Sequence, residues 1–208
     1  METPRAIPDQ AVCLELMEQY GMLDNIRRHS LLVARVAETL VGNLHIPADS
    51  RDFRPNRNLV LAGALLHDIA KTRCLDGSCR HAEEGQLICE EHGYPEVGVI
   101  VGEHVLLSSF TPEYYRRGRF PAREIVYYAD KRVKHDQIVS LQERLLYIID
   151  RYSGNLPAVE QRIRENFRRC QELERHLFSF LPFSAEELPH RLLPLAGPGA
   201  ARIAGTGT

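Results

Sequence analysis

The sequence lacks a strong charge of either sign and a long apolar segment. Lysine and arginine number 26 against 28 aspartate and glutamate residues, which gives a net charge of -2 over 208 residues. This balance provides no overall field for non-specific binding to nucleic acid or to an anionic membrane, so any phosphate recognition has to be local. No apolar stretch reaches the length of a membrane span, and no N-terminal run has the pattern of a secretory signal. We therefore expect a cytoplasmic protein with no membrane partner.

The cysteine pattern also lacks the regular spacing of a disulfide framework. The five cysteines are Cys13, Cys74, Cys79, Cys89 and Cys170. An odd count at irregular spacings favours reduced thiols in the cytosol. Cys74 and Cys79, followed by His81, would allow a zinc site, but their spacing departs from the usual two-residue gap between ligand cysteines. We therefore expect ordinary loop thiols at these two positions.

No segment shows the alternating pattern of a half-buried β-strand. Apolar residues recur at helical spacing nearly throughout, which predicts an all-α fold, and the chain length suits one hydrophobic core. We expect one compact helical domain over residues 1–181, with its core at about 24–136 and extra C-terminal helices at 140–180. The Pro- and Gly-rich segment 182–208 is expected to be a flexible tail.

Cap residues and loop residues mark the expected limits of several helices. A short polar side chain before an apolar run is typical of a helix N-cap. On this basis Asn56 and Ser78 precede two helices of the core, and Ser140 precedes a later one. The stretch from Ser108 to Gly118 is expected to be a loop.

One stretch, Leu59 to Lys71, is apolar almost throughout and then ends in charged residues. Its letters are LVLAGALLHDIAK, a run too continuous for a surface helix and too short to span a bilayer, so we expect a buried helix. His67 and Asp68 lie where its apolar part ends. Burying such a titratable pair is costly unless each member is paired or bound to a metal, so the pair indicates a functional site.

Six residues carry ligand-type side chains on otherwise apolar helix faces. They are His29, His67, Asp68, His81, His104 and Asp130. A lone histidine on such a face is more often a hydrogen-bonded core residue, but six on five successive helices favour a shared metal site. The mixed nitrogen and oxygen ligands suit two divalent ions of manganese, iron, cobalt, nickel or zinc, and magnesium less well. His92, beside a helix-breaking glycine, is a weaker rival to His104.

This ordered set resembles the HD-domain superfamily of metal-dependent phosphohydrolases. The resemblance covers roughly His29 to Asp130 and includes the His67-Asp68 doublet in LLHDIAK and the aspartate of YYADKRV. It implies an all-α fold with two metal ions bridged by the carboxylate of the doublet. The ligands it implies are His29, His67, Asp68 and Asp130 for one ion, and Asp68, His81 and His104 for the other.

The bridging carboxylate and a nearby lysine define the expected chemistry. Two cations bridged by Asp68 would lower the pKa of a shared water to give a hydroxide nucleophile, and would clamp the oxygens of a phosphate. Lys71 lies four residues after His67, so its ammonium could neutralise charge on that phosphate. The alternative for Lys71 is a solvated charge at a helix end. Asp68 and Lys71 are the expected catalytic residues.

The expected function is hydrolysis of a phosphate ester or anhydride in a small, nucleotide-like substrate. The resemblance favours a nucleotide over a polymer, because the two-metal branch includes dinucleoside tetraphosphate hydrolases with similar ligand spacing. Two alternatives stay open. The mixed-valence diiron oxygenases of the same superfamily use much the same six ligands on small anionic substrates, and some members are non-catalytic regulatory modules. The full ligand set favours an enzyme over a regulatory module.

The sequence around Asp130 is locally basic. Its cations are Arg116, Arg117, Arg119, Arg123, Lys131, Arg132 and Lys134. If the loop folds over the metals, they could bind further phosphates, and the alternative is a solvated surface face. Four tyrosines nearby could stack a base, although core or rim packing is the default expectation. They are Tyr114, Tyr115, Tyr127 and Tyr128.

Overall fold

The computed structural model describes residues 7–195 and confirms the all-α class. Its helices are α1 (Gln10–Gln19), α2 (Asp24–Asn43), α3 (Arg57–Leu66), α4 (His81–Glu91), α5 (Pro95–Glu103), α6 (Pro112–Arg116), α7 (Ala122–Lys131), α8 (Leu141–Tyr152) and α9 (Pro157–Phe178). Short 3₁₀ segments lie at Ala48–Phe53 and Leu188–His190. Within residues 7–195, no helix is long and apolar enough to cross a membrane.

Helix α3 lies at the centre of the bundle. Asn56 caps it as predicted, because its side-chain oxygen lies 3.0 and 3.3 Å from the backbone nitrogens of Asn58 and Leu59, which donate to it. Val60 and Leu66 are completely buried, and the helix packs against α1, α2, α5 and α7. A helix that is apolar on all sides is stable only in such a central position.

Two glycines allow the neighbouring helices to approach closely. A Cβ atom placed on Gly63 of α3 would lie 2.6 Å from Cγ2 of Ile100 in α5. A Cβ atom on Gly85 of α4 would lie 2.7 Å from Cγ1 of Val101 in α5. The absence of a side chain at Gly63 and Gly85 therefore allows α3, α4 and α5 to pack closely against one another.

The helix predicted over Leu59 to Lys71 ends at Leu66, and the chain continues in turns. The side chain of His67 explains this end. Its Nδ1 lies 2.8 Å from the carbonyl oxygen of Ala64, which is the acceptor that the backbone N–H of Asp68 would use if the helix continued. The predicted helix was therefore too long by one turn or more.

The segment between α3 and α4 differs from prediction in two respects. Helix α4 begins at His81 rather than near Ser78, whose backbone N–H instead donates to the Asp76 carboxylate at 3.0 Å. Cys74 and Cys79 form a disulfide, so the prediction of reduced loop thiols is wrong for this pair. The odd cysteine count concealed the pair, because the other three thiols are separate and buried.

A short antiparallel hairpin follows α7, although the sequence predicts no strand. Its strands are β1 (Val133–Lys134) and β2 (Gln137–Ile138). Two residues per strand are too few to produce an alternating apolar pattern. His135 lies in the turn with a positive φ of 56°. This turn brings the carbonyl oxygen of His135 within 3.0 Å of Nδ1 of His29.

The C-terminal helices cover the core formed by α2 to α7. Helices α8 and α9 pack against each other, and α9 also contacts α6 and α7. Ser140 caps α8 as predicted, since its hydroxyl oxygen accepts from the backbone N–H of Glu143 at 3.1 Å. The prediction of an uninterrupted loop from Ser108 to Gly118 is wrong, because α6 lies within it. Pro112 at its first position favours a helix start there.

Part of the segment assigned to the tail packs on the domain. Within residues 182–195, Phe183 is 7% exposed and Leu188 is completely buried. Residues 196–208 lie outside the described residues, so flexibility at that end stays a prediction.

The close approach at Gly63 leads to a stability prediction. Gly63→Ala is expected to lower the free energy of unfolding, because overpacking against branched Ile100 costs about 1–3 kcal/mol and outweighs a gain of at most about 1 kcal/mol in helix propensity. Gly102→Ala is the control, since the atom that an added Cβ would meet is the flexible end of Gln86. Urea denaturation measures both. A Gly63→Ala variant as stable as Gly102→Ala would contradict the packing described.

Candidate metal centre

The six predicted ligand residues lie together beside the end of α3. Their places are His29 in the second turn of α2, His67 and Asp68 directly after α3, His81 at the first position of α4, His104 directly after α5, and Asp130 next to the last residue of α7. Four of them are buried, whereas His81 and Asp130 are partly exposed. Ends of several helices therefore converge on one interior point.

The carboxylate of Asp68 lies between two pairs of imidazoles. Its Oδ2 is 3.4 Å from Nε2 of His67 and 3.8 Å from Nε2 of His29. Its Oδ1 is 3.4 Å from Nε2 of His81 and 3.6 Å from Nε2 of His104. Each oxygen thus faces one pair, and the two groups of potential metal ligands share only this residue.

The carboxylate of Asp130 lies beside the first pair of imidazoles, those of His29 and His67. Its Oδ1 lies 3.1 Å from Nε2 of His29 and 3.8 Å from Nε2 of His67. The first group therefore has two imidazoles and two carboxylates within reach, and the second has two imidazoles and one carboxylate. This division is the one that the resemblance implied.

Backbone carbonyl groups fix the orientation of three imidazole rings. The acceptors for Nδ1 are the carbonyl oxygens of His135 for His29 (3.0 Å), of Ala64 for His67 (2.8 Å) and of Val101 for His104 (2.6 Å). A carbonyl oxygen only accepts, so Nδ1 carries a hydrogen in each ring, and the neutral ring presents the Nε2 lone pair to the cluster. Metal-ligating histidines are typically oriented in this way.

The atoms that face one another in the cluster are mainly acceptors. The Nε2 atoms of His81 and His104 are 3.2 Å apart. Nε2 of His67 and Oδ1 of Asp68 are buried and have no hydrogen-bond partner among residues 7–195. Buried acceptors without donors cost free energy, and lone pairs at such distances repel unless a positive charge lies between them. Divalent cations therefore fit the residues present.

The two carboxyl groups are held in their charged forms. Burial raises the pKa of Asp68, but the protonated form of His67, whose own pKa Asp68 raises, and the ammonium of Lys71 outweigh this effect and keep the pKa of Asp68 well below its usual range. Burial acts on Asp130 in the same way, and the contact with Nε2 of His29, which donates to Asp130 only when both ring nitrogens carry hydrogen, is the first of the effects that keep the pKa of Asp130 low. Both side chains are therefore anionic at neutral pH, as metal ligands must be.

The imidazoles of the second group are held neutral. Burial lowers the pKa of His81 to about 4, although the negative charge of Asp68 opposes it. Burial also lowers the pKa of His104, again against the effect of Asp68. Neutral rings at pH 7 can offer a lone pair to a metal ion without first losing a proton.

Lys71 contacts the shared carboxylate directly. Its Nζ lies 2.7 Å from Oδ2 of Asp68. Burial lowers the pKa of Lys71, but the negative charges of Asp68 and Asp130 outweigh burial and raise it, so the ammonium stays charged. Lys71 reaches Asp68 through a turn, because α3 has already ended at Leu66. The sequence instead predicts that Lys71 and His67 lie on the same face of a continuing helix.

A cavity of about 500 Å³ adjoins the cluster. Asp68, His81, His104 and Asp130 contribute to its wall, together with Lys71. The remaining lining residues include Lys131, Arg144, Ile148, Arg151, Ile163 and Phe167. This volume is within the range of small-molecule sites in proteins.

Sequence reasoning missed the contribution of α8 to this cavity. Arg144, Ile148 and Arg151 lie at positions i, i+4 and i+7, which places them on one face of the helix. This spacing could have shown that two arginines share a face. It could not have shown that the face borders the cluster, because that depends on how the C-terminal helices pack.

The basic residues around Asp130 form neither a single phosphate-binding group over the cluster nor a single solvated face. Lys131 and Arg132 are 5% and 4% exposed, so they are not part of a solvated face. Lys131 donates to the carbonyl oxygen of His104 at 2.8 Å, and it is the member of this basic set that borders the cavity. Arg123 forms an ion pair with Glu103 at 3.2 Å instead.

The tyrosines and His92 have other contacts. Tyr115, Tyr127 and Tyr128 are buried in the core, as the default expectation held. His92 lies 2.9 Å from the hydroxyl of Tyr20 and is not part of the cluster. The choice of His104 over His92 therefore agrees with the geometry.

The HD-domain model matches residues 26–155 of the chain. This range is more than half of the 208 residues and includes all six side chains of the cluster. The protein therefore belongs to the HD-domain family, and its His/Asp groups could hold the divalent ions that HD domains bind.

Two curated proteins are similar to most of this chain. The tRNA (cytidine(56)-2'-O)-methyltransferase of Picrophilus torridus is 30% identical over 169 residues, which are 76% of this chain and 45% of that protein. The protein of the same name from Thermoplasma volcanium is 29% identical over 157 residues, 71% of this chain and 42% of that protein. The chain thus spans less than half the length of either relative. No solved structure matches it.

Metal binding to this cluster should stabilise the fold. Adding Mn²⁺ to chelator-treated protein at a hundredfold excess over Kd is expected to raise the free energy of unfolding by about 2.7 kcal/mol, because the ion binds the folded state alone. Asp68→Ala should abolish this Mn²⁺-dependent increase in the free energy of unfolding. Asp76→Ala, which removes an exposed loop carboxylate, should preserve it. Urea denaturation with and without Mn²⁺ is the measurement, and an undiminished increment in Asp68→Ala would refute the site.

Proposed function

We propose that the protein is a metal-dependent phosphohydrolase that cleaves a phosphate ester or anhydride. One observation carries the proposal: the cluster around Asp68 shares a cavity with the cationic side chains of Lys71 and Arg144. Phosphate oxygens bind metal ions, ammonium groups and guanidinium groups alike. A cavity that combines all three suits a phosphorylated substrate.

The ligands divide into two sets around Asp68. His29, His67, Asp68 and Asp130 would hold one divalent ion, and Asp68, His81 and His104 would hold a second. When bound, such ions lower the pKa of a coordinated water and neutralise charge on the attacked phosphate. The mixed nitrogen and oxygen donors favour manganese, iron, cobalt, nickel or zinc over magnesium.

Lys71 and Lys131 would support this centre in different ways. The Lys71 ammonium holds one oxygen of Asp68 at 2.7 Å and borders the cavity, so it can also donate to a phosphate oxygen and stabilise charge in the transition state. Lys131 donates to the backbone carbonyl of His104 and fixes the chain at the end of α5. Lys71 is therefore a catalytic residue in this proposal, and Lys131 is a positioning residue.

A small, nucleotide-like substrate fits the proposal better than a polymer. The cavity of about 500 Å³ is of the size that holds a small molecule. The relatives are named for methyl transfer to tRNA, but the part of each that resembles this chain is less than half of its length. We therefore do not assign that activity to this chain.

The test is purification without oxygen or chelators, followed by metal analysis and assays of phosphate release on nucleotides and phosphonates. Asp68→Ala is expected to abolish release, and Lys71→Met to lower kcat about 10²-fold, as loss of a transition-state donor typically does. Lys134→Met is the control, because Lys134 faces Glu143 and does not border the cavity.

Three outcomes separate this proposal from its rivals. Phosphate release that does not depend on oxygen supports hydrolysis. Oxygen-dependent turnover with bound iron would overturn it in favour of a diiron oxygenase. Less than one metal ion per chain, with unchanged folding of Asp68→Ala, would indicate a non-catalytic regulatory module.

A further inference from the structure

Arg144 on α8 is a buried cation whose hydrogen-bonding groups are largely unused. Its side chain is 9% exposed, and in the described part of the chain its Nε has no hydrogen-bond partner. The nearest carboxylate contact runs from its Nη2 to Oδ1 of Asp130 over 3.7 Å, which exceeds a hydrogen bond. The same Oδ1 already faces His29 at 3.1 Å. The planar guanidinium borders the cavity, its Cζ lies 5.4 Å from the ring centroid of Tyr147, and its side chain forms no hydrogen bond within residues 7–195.

The neighbouring lysines, in contrast, are engaged within the protein. Lys71 donates to Asp68 at 2.7 Å, and Lys131 donates to the carbonyl oxygen of His104 at 2.8 Å. Arg144 differs from both because its guanidinium forms no hydrogen bond to another residue within 7–195. A buried guanidinium without a full set of partners is unfavourable in the free protein, and an anion with two oxygens can satisfy it through paired hydrogen bonds.

The wall of the cavity beyond Arg144 is mainly apolar. Ile148 follows one turn later on α8, and Val159, Ile163 and Phe167 of α9 complete this wall. We call these four residues the apolar wall. These four side chains offer no hydrogen bonds, and they can remove an apolar or aromatic group from water. The polar side chains of Arg151 and Asn166 border the same cavity beside them.

We propose that Arg144 binds the phosphoryl group of the substrate and that the apolar wall binds its organic group. The substrate class is then a phosphate monoester with an apolar or aromatic organic part. This inference deepens the proposed function and rests on it, since Arg144 determines specificity for the same reaction. In this arrangement a free polyphosphate lacks a partner for the apolar wall.

Two phosphonates test the inference by binding, independently of turnover. Methylphosphonate carries the anionic group alone, and phenylphosphonate adds an aromatic ring. Calorimetry on the Mn²⁺-loaded protein should show tighter binding of phenylphosphonate. Arg144→Met should weaken both ligands at least tenfold, and Arg144→Lys should restore part of the loss. Ile163→Asn should weaken phenylphosphonate alone. Arg116→Met is the matched control, because Arg116 is exposed beside Glu113, and it should change neither affinity.

A second readout excludes a merely structural role for Arg144. In anion-free buffer, Arg144→Met should unfold at a higher temperature than the wild type, because it removes a buried charge with few partners. Its affinity for Mn²⁺ should stay equal or rise, since a neighbouring positive charge is lost. A lower unfolding temperature together with weaker Mn²⁺ binding would overturn the inference and make Arg144 a structural support of Asp130.

The outcomes distinguish this inference from the proposed function. Arg144-dependent phosphonate binding without phosphate release from phenyl phosphate or from any nucleotide tested would refute the hydrolase and leave the anion site. Hydrolysis with phosphonate affinities that do not change in Arg144→Met would refute the inference and leave the hydrolase. Equal affinities for the two phosphonates would refute the role of the apolar wall.

Discussion

The structure depends on one constraint, which is the negative charge of Asp68. This buried residue lies just after the central helix α3. A carboxylate that is 1% exposed needs compensating charge in its immediate surroundings. Lys71 supplies part of it at 2.7 Å, and imidazoles face both oxygens. Two divalent ions would supply the remainder. The fold brings several helix ends close to this residue. Because the buried carboxylate is unfavourable without nearby positive charge, the same place favours the binding of cations.

The same hydrogen bonds that end two helices also orient two of the imidazoles. Nδ1 of His67 and Nδ1 of His104 bond to carbonyl oxygens three residues earlier, and α3 and α5 end at these histidines. Each bond uses an acceptor of the last helical turn and leaves the Nε2 lone pair facing Asp68. Helix termination and ligand orientation are therefore one structural event. This explains why these two ligands lie at helix ends, where the chain can change direction around a small site.

Periodicity and order along the sequence were sufficient to select the six clustered residues. Each one occupies an inward position relative to an apolar stripe, and a buried polar residue is informative because burial must be compensated. The central position of α3 followed from its continuous apolar character. These features depend on local pattern alone, so a single sequence contains them.

Other parts of the centre depend on contacts between distant segments. The carbonyl of His135 reaches His29 only because a two-residue hairpin turns the chain. Arg144 joins the cavity through the packing of α8, and the Cys74–Cys79 disulfide depends on the conformation of a turn. The end of α3 depends on a hydrogen bond between a side chain and the backbone. Hydrophobic periodicity contains none of these interactions.

The most direct test of this account is the number and coupling of metal ions around Asp68. Mn²⁺ can be titrated into chelator-treated protein and followed by electron paramagnetic resonance. We expect two ions per chain whose spectra show magnetic coupling, because one carboxylate would serve both ligand groups, and we expect Asp68→Ala to lose this coupled signal. One ion per chain, or two ions without coupling in the wild type, would contradict the central role of Asp68.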